Sequence, residues 1–119
     1  MINKHIIKTE QAMYAIENGE FEPKMIASKN KVIIILTQDW CPQWVDMKSW
    51  VYKLELEEDI DIYELEYNNA DYFNEFMTFK ENHWKNYKVP YLRFYKEGNL
   101  VKQTNYISKA KFIDIVNDI

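Results

Sequence analysis

The clearest pattern along the chain is the apolar run Val32-Ile33-Ile34-Ile35-Leu36. It is β-branched and has no polar side, as a parallel strand covered on both faces should be. Elements of other periods flank it. Ile2 to Lys8 reads as a short strand. Thr9 is placed as the N-cap of a helix through Glu10-Gln11-Ala12-Met13-Tyr14-Ala15-Ile16, and Gly19 suits its end. Pro23 opens a second helical piece through Ala27, since proline is tolerated in a first turn. After the apolar run, Thr37-Gln38-Asp39-Trp40 forms a loop and a helix starts at about Cys41, with Pro42 in its first turn. Trp44, Met47, Val51 and Leu54 repeat at helical spacing along one face, with Trp50 close to it. This helix is expected to end in the acidic run Glu55 to Asp61, read as a solvated helix end and loop.

Ile60 to Tyr67 reads as a strand with Tyr63, Leu65 and Tyr67 on one face. Ala70 to Trp84 reads as a helix burying Phe73, Phe76, Met77 and Trp84. Pro90 opens the strand Tyr91-Leu92-Arg93-Phe94-Tyr95, and a turn at Glu97-Gly98-Asn99 leads into Leu100 to Tyr106 as a hairpin. Ser108 caps a last helix with Phe112, Ile113 and Val116 inward. The order β-α-β-α-β-α-β-β-α predicts an α/β fold. It has a central mixed sheet: parallel strands with right-handed crossovers, closed by an antiparallel hairpin and covered by helices on both faces.

A length of 119 residues suits one domain, 1–119, with a core adequate without disulfides or metals. The net charge of -4, with no basic stripe, argues against a nucleic-acid partner. No apolar run is long enough to span a bilayer, so no membrane role is expected. One cysteine permits no internal disulfide, and the first ten residues are too polar for a secretory signal; both favour the cytoplasm. His5 and His83 lie far apart beside a single cysteine, which gives no zinc spacing, and no glycine-rich phosphate loop is present. No metal or cofactor is therefore expected. The aromatic share of 16% supplies core, or a surface patch for a partner.

Trp40-Cys41-Pro42-Gln43-Trp44 follows a buried apolar strand and opens a helix. It resembles the thioredoxin active-site segment Trp-Cys-x-x-Cys. Tyr87-Lys88-Val89-Pro90-Tyr91-Leu92-Arg93-Phe94-Tyr95-Lys96-Glu97-Gly98 resembles that superfamily's cis-proline, strand and glycine turn. The order of elements agrees over nearly the whole chain. The resemblance implies a thioredoxin-like fold, a cis Val89-Pro90 bond packed against the Cys41 loop, and a substrate backbone lying along Val89. The departures are specific. Trp44 replaces the second cysteine, Ile35 stands near the buried acid, Glu64 near the usual lysine, and Tyr91 where a small residue is usual.

A dithiol oxidoreductase attacks a substrate disulfide with one thiol and resolves the mixed disulfide with another one helical turn away. Trp44 cannot resolve anything, so Cys41 cannot cycle through an internal disulfide. A helix N-terminus is nevertheless a setting in which thiols act as nucleophiles, although Asp39 places a negative charge nearby.

Two functions follow. In the first, a monothiol redox protein, catalytic Cys41 forms mixed disulfides with a protein or low-molecular-weight thiol. In the second, a non-catalytic peptide-binding module, Trp40, Trp44, Val89 and Tyr91 form an aromatic groove and Cys41 is incidental. The substrate-binding candidates across both are Trp40, Pro42, Trp44, Val89, Pro90 and Tyr91. A Cys41-linked dimer is a further product expected on oxidation.

Overall fold

The computed structural model describes residues 1–119. Its elements are β1 (Ile2–Ile6), α1 (Thr9–Asn18), α2 (Pro23–Ile26), β2 (Lys31–Thr37), α3 (Pro42–Val51), β3 (Ile60–Glu66), α4 (Phe73–Asn82), β4 (Tyr91–Lys96), β5 (Asn99–Thr104) and α5 (Lys109–Asp118). A 3₁₀ turn, Tyr67–Asn69, lies between β3 and α4. The five strands form one sheet in the order β1-β3-β2-β4-β5. β1, β3 and β2 are parallel, β4 runs antiparallel to β2, and β5 antiparallel to β4. This is the mixed α/β sheet that the alternation of patterns predicts.

β2 is buried along its whole length, so it has no solvent face to carry a polar residue. Its even-numbered residues Val32, Ile34 and Leu36 join Ala12, Ala15, Met25, Phe76 and Phe79 in a core under α1, α2 and α4. Its odd-numbered residues Ile33 and Ile35 join Met47, Val51, Phe112 and Val116 under α3 and α5. Because side chains alternate faces along a strand, this one apolar run serves both layers.

Several boundaries differ from the sequence expectation. The N-cap of α1 is Lys8, whose N–H is accepted by Gln11 Oε1 at 2.8 Å, and Thr9 is the first helical residue. α3 stops at Val51, before the acidic run, and Leu54 is buried from the connection rather than from the helix. Asp61, read as part of a solvated run, is buried in β3, where Ser28 Oγ donates to its carboxylate at 2.5 Å. α4 begins three residues later than expected because Tyr67–Asn69 first turns as a 3₁₀ helix. In α5, Ile115 is buried and Ile113 only half so. Ser108 does cap α5, accepting the Lys111 N–H at 3.2 Å. Gly19 ends α1 at φ 83, and an added Cβ there would sit 2.8 Å from the His83 ring. No helix is long and apolar enough to cross a membrane.

Candidate functional site

The chain leaves β2 at Thr37, turns through Gln38–Trp40 and enters α3. Cys41 is the N-cap, with extended backbone at φ -72 and ψ 116. Its N–H reaches Gln38 O at 3.2 Å, and its carbonyl accepts the Val45 N–H at 3.0 Å. Pro42 fits the next position because its missing N–H would have had no helical partner and its φ is already helical.

A polar clamp fixes this turn. Asn68 Oδ1 accepts the Asp39 N–H at 3.0 Å, while Asn68 and Asn69 donate to the Asp39 carboxylate at 2.8 and 3.0 Å. Those two donors, Asn69 foremost, hold the Asp39 carboxyl below its ordinary range, so it is ionised at neutral pH. The Trp40 indole N–H is satisfied inside the same turn by Gln38 Oε1 at 2.6 Å. Its ring, with the residue 63% exposed, faces outward.

The opposite wall is the segment before β4. The Val89–Pro90 peptide bond is cis. Cys41 Sγ lies 3.5 Å from the Val89 carbonyl oxygen, to which its S–H donates. Between the walls lies an open groove of about 360 Å³ lined by Trp40, Cys41, Pro42, Gln43, Tyr87, Lys88 and Val89. Cys41 itself is only 4% exposed, whereas Tyr87 is 67% exposed. An aromatic ring on each wall thus flanks a recessed sulfur.

Neither the protein-family models nor the curated proteins contain a match to this chain. Solved structures do match. Thioredoxin O1 of Arabidopsis thaliana, in its oxidised state, superposes with a TM-score of 0.69 at 15% identity, covering 98% of this chain and 96% of that one. Spinach chloroplast thioredoxin F (short form) gives 0.68 at 16%, covering 97% and 91%. A point mutant of a Halobacterium salinarum thioredoxin gives 0.64 at 13%, covering 98% and 88%. The chain has the thioredoxin fold.

On this thioredoxin fold, four of the sequence-predicted site residues line the groove: Trp40, Cys41, Pro42 and Val89. Three do not. Trp44, 1% exposed, packs into the core with Met47 and Val51. Its indole N–H donates to Glu66 Oε2 at 2.7 Å, and Lys48, 3.2 Å from the same oxygen, lies 5.8 Å from the ring centre. Pro90 is buried at the head of β4. Tyr91 turns to the far side of the sheet, where its hydroxyl meets Gln103 and accepts from Arg93 Nη1 at 2.8 Å. Tyr91 and Trp44 therefore lie on opposite faces of the sheet and cannot share one groove.

Gln43, Tyr87 and Lys88 line the groove without having been singled out. All three stand inside the two segments that resemble thioredoxin, so their positions were in view. Gln43 lies in the first turn of α3, off its apolar stripe, and Tyr87 and Lys88 lie in a loop, so no hydrophobic period marks the direction of any of the three.

Beneath α3 the fold carries an acid that the strand comparison alone would miss. Ile35 pairs with Glu64 in the β2–β3 register, and Glu64 is buried. The Tyr52 hydroxyl donates to Glu64 at 2.6 Å, and Lys4 and Lys48 stand 3.6 and 3.7 Å away. Burial, and then the neighbouring Glu64, push the Tyr52 phenol far up, so it stays a neutral donor. Burial draws the Lys48 ammonium down, but Glu64 and Glu66 outweigh it and its pKa is raised. This cluster ties β1, β3 and α3 together.

Proposed function

We propose that the groove takes an extended stretch of a protein or peptide partner and that Cys41 exchanges disulfides with it. The observation that carries this reading is the position of Cys41 Sγ on the groove floor, 3.5 Å from the Val89 carbonyl. The thiol gives its proton to solvent and the thiolate attacks one sulfur of a partner disulfide. The other sulfur leaves as a thiolate and takes up a proton. An external low-molecular-weight thiol then attacks the partner's sulfur in the mixed disulfide. Cys41 returns to a thiol, and the partner leaves joined to the external thiol. No internal resolving step is available, because the chain holds one cysteine. The setting proposed is the reducing cytoplasm, and the chain is read as one domain.

A specific observation favours the second reading, binding without covalent chemistry. Cys41 is 4% exposed while Trp40 and Tyr87 offer exposed rings. Two measurements separate the readings. Alkylation of Cys41 by iodoacetamide as a function of pH, folded against urea-unfolded, tests whether the sulfur is usable. No reaction in the folded chain excludes the exchange reading. Partner capture under non-reducing conditions that survives Cys41→Ala but is lost in Trp40→Ala supports binding alone; capture lost in Cys41→Ala supports exchange.

A further inference from the structure

The groove wall that carries Tyr87, Lys88 and Val89 has no helix or strand of its own; it spans the connection from α4 to β4. Within it Lys85 adopts φ 57, a left-handed conformation uncommon for a residue with a side chain. Such a connection would ordinarily turn its backbone polar groups to water. Here two carbonyls and one side-chain oxygen turn inward instead. The Asn86 carbonyl accepts from Lys80 Nζ at 2.9 Å, the Asn86 side-chain oxygen at 3.1 Å, and the Lys88 carbonyl at 2.9 Å.

Lys80 projects from α4 and is 1% exposed. An ammonium has three donors, and all three find an acceptor in this one segment. Its stem lies in the apolar core, and its charge stands 5.5 Å from the Tyr91 ring centre. No carboxylate bonds it. Burial draws the ammonium down to about 8. The charge of Glu81 opposes that pull, and all three oxygen acceptors are satisfied only by the charged form.

From the β5 side, Asn105 completes the arrangement. Its Nδ2 donates to the Lys88 carbonyl at 3.1 Å, to the Pro90 carbonyl at 3.0 Å and to Asn86 Oδ1 at 3.0 Å. Asn86 Nδ2 returns a bond to Asn105 Oδ1 at 3.0 Å. Thus Lys88, whose carbonyl is held by both Lys80 and Asn105, is pinned immediately before Val89 and the sulfur it faces.

We infer that Lys80 is the positioning residue of the groove, its buried ammonium fixing the Asn86–Lys88 segment so that the Val89 carbonyl faces Cys41 and a partner chain meets a preformed edge. This rests on the groove reading above for what the edge is used for, but the clamp itself is separately measurable. Holding a recognition edge rigid lowers the ordering cost of binding. A mobile edge would leave the sulfur reachable by small reagents while weakening its reaction with a long partner.

The test uses the full chain with Lys80→Met, and Asn105→Ala as a second variant that loosens the same segment without removing the buried cation. Amide hydrogen exchange at Asn86 and Lys88, whose N–H groups are held by the Lys80 carbonyl at 3.3 Å and by Asn86 Oδ1 at 3.2 Å, reads the clamp. The rate of Cys41 exchange with a disulfide-containing peptide, against its alkylation by iodoacetamide, reads the use of the edge. Exchange at those amides is expected to rise at least tenfold while the β2 amides are unchanged. The peptide rate is expected to fall about tenfold while the iodoacetamide rate holds or rises. Unchanged loop amides in Lys80→Met would overturn the inference, whatever Asn105→Ala does. So would loosened amides with an unchanged peptide rate. If the wild-type chain is inert to the peptide, the function reading fails, and the loop amides still decide whether Lys80 is the clamp.

Discussion

Trp44 donates its indole N–H to the Glu66 carboxylate at 2.7 Å, and this bond joins α3 to the end of β3. The ring buried beneath the helix would otherwise carry an unpaired donor into the core. Trp44 is therefore a structural pin one turn after Cys41, on the core side of the helix. Replacing it by alanine is expected to cost about 3–5 kcal/mol, the range for a buried tryptophan. Glu66→Leu removes the acceptor together with the half-exposed Lys48 ion pair, at a cost of about 1–3 kcal/mol that is mostly the unpaired indole N–H. Urea denaturation midpoints check both, and a Trp44→Ala loss below that of Glu66→Leu would contradict the pin.

The residues around Cys41 show how far the sequence could be read. Helical spacing of Trp44, Met47 and Val51 places Trp44 on the buried stripe, whereas the resemblance to a Cys-x-x-Cys segment places it beside the groove. The structure follows the periodicity, because a large ring with an available acceptor gains more in the core than at the surface. The strands and their order were legible for the same reason: Val32–Leu36 has no polar side, and burial on both faces is the only way to satisfy that. Lys80, Glu64 and Arg93 were not legible as buried. Their burial depends on partners remote along the chain or across loops: Asn86 and Lys88 for Lys80, Tyr52 for Glu64, Glu20 for Arg93 at 2.6 Å. A charged residue in isolation reads as exposed. Tyr87 lies in a loop, where no period marks the direction of a side chain.

The exposed rings should separate binding from stability. Trp40 and Tyr87 leave most of their surface in water, so Trp40→Ala and Tyr87→Ala are expected to change stability by no more than about 0.5 kcal/mol. If they anchor a partner, each should weaken its capture by about 2 kcal/mol, roughly thirtyfold, the scale of an aromatic hot spot. Titration calorimetry or surface capture with a partner peptide, beside urea curves, reads both effects. Weakened capture that tracks lost stability would count against a direct role.

Alkaline pH should unfold the protein through its buried phenols. Burial raises the pKa of Tyr52, Tyr91 and Tyr95 above the ordinary value of 10. Unfolded phenols lose protons above about pH 10 while the folded ones keep them, so their contribution is fully present below that pH and is lost as pH rises. Each such phenol steepens the loss by about 1.4 kcal/mol per pH unit. Lys80, drawn down toward 8, acts in the opposite sense between about pH 8 and 10.5, where the unfolded chain binds the extra proton. The expected profile is flat or gently rising to pH 10, then falling steeply. Urea midpoints from pH 7 to 12, with tyrosinate absorbance at 295 nm on the same samples, check it. Phenolate appearing well before unfolding would refute the assignment.

One cysteine limits the oxidised products. A chain oxidised in the folded state can yield a Cys41 adduct or a Cys41-linked dimer, but no intramolecular disulfide. Because the sulfur is recessed in the groove, dimer formation is expected to be slower in the folded than in the urea-unfolded chain. Non-reducing electrophoresis over time compares the rates. A dimer that persists with excess reductant, or in Cys41→Ser, is held by something other than this sulfur.

The exchange reading turns on whether an extended partner reaches Cys41 while the chain is folded. The direct measurement is intact-mass spectrometry of the folded chain incubated with a disulfide-containing peptide, in parallel with Cys41→Ser and with Tyr87→Ala. One peptide adduct per chain is expected, released by an added thiol and absent in Cys41→Ser. Its formation is expected to be slower in Tyr87→Ala than in the wild type. A folded chain that acquires no adduct, while its urea-unfolded form does, would overturn the exchange reading.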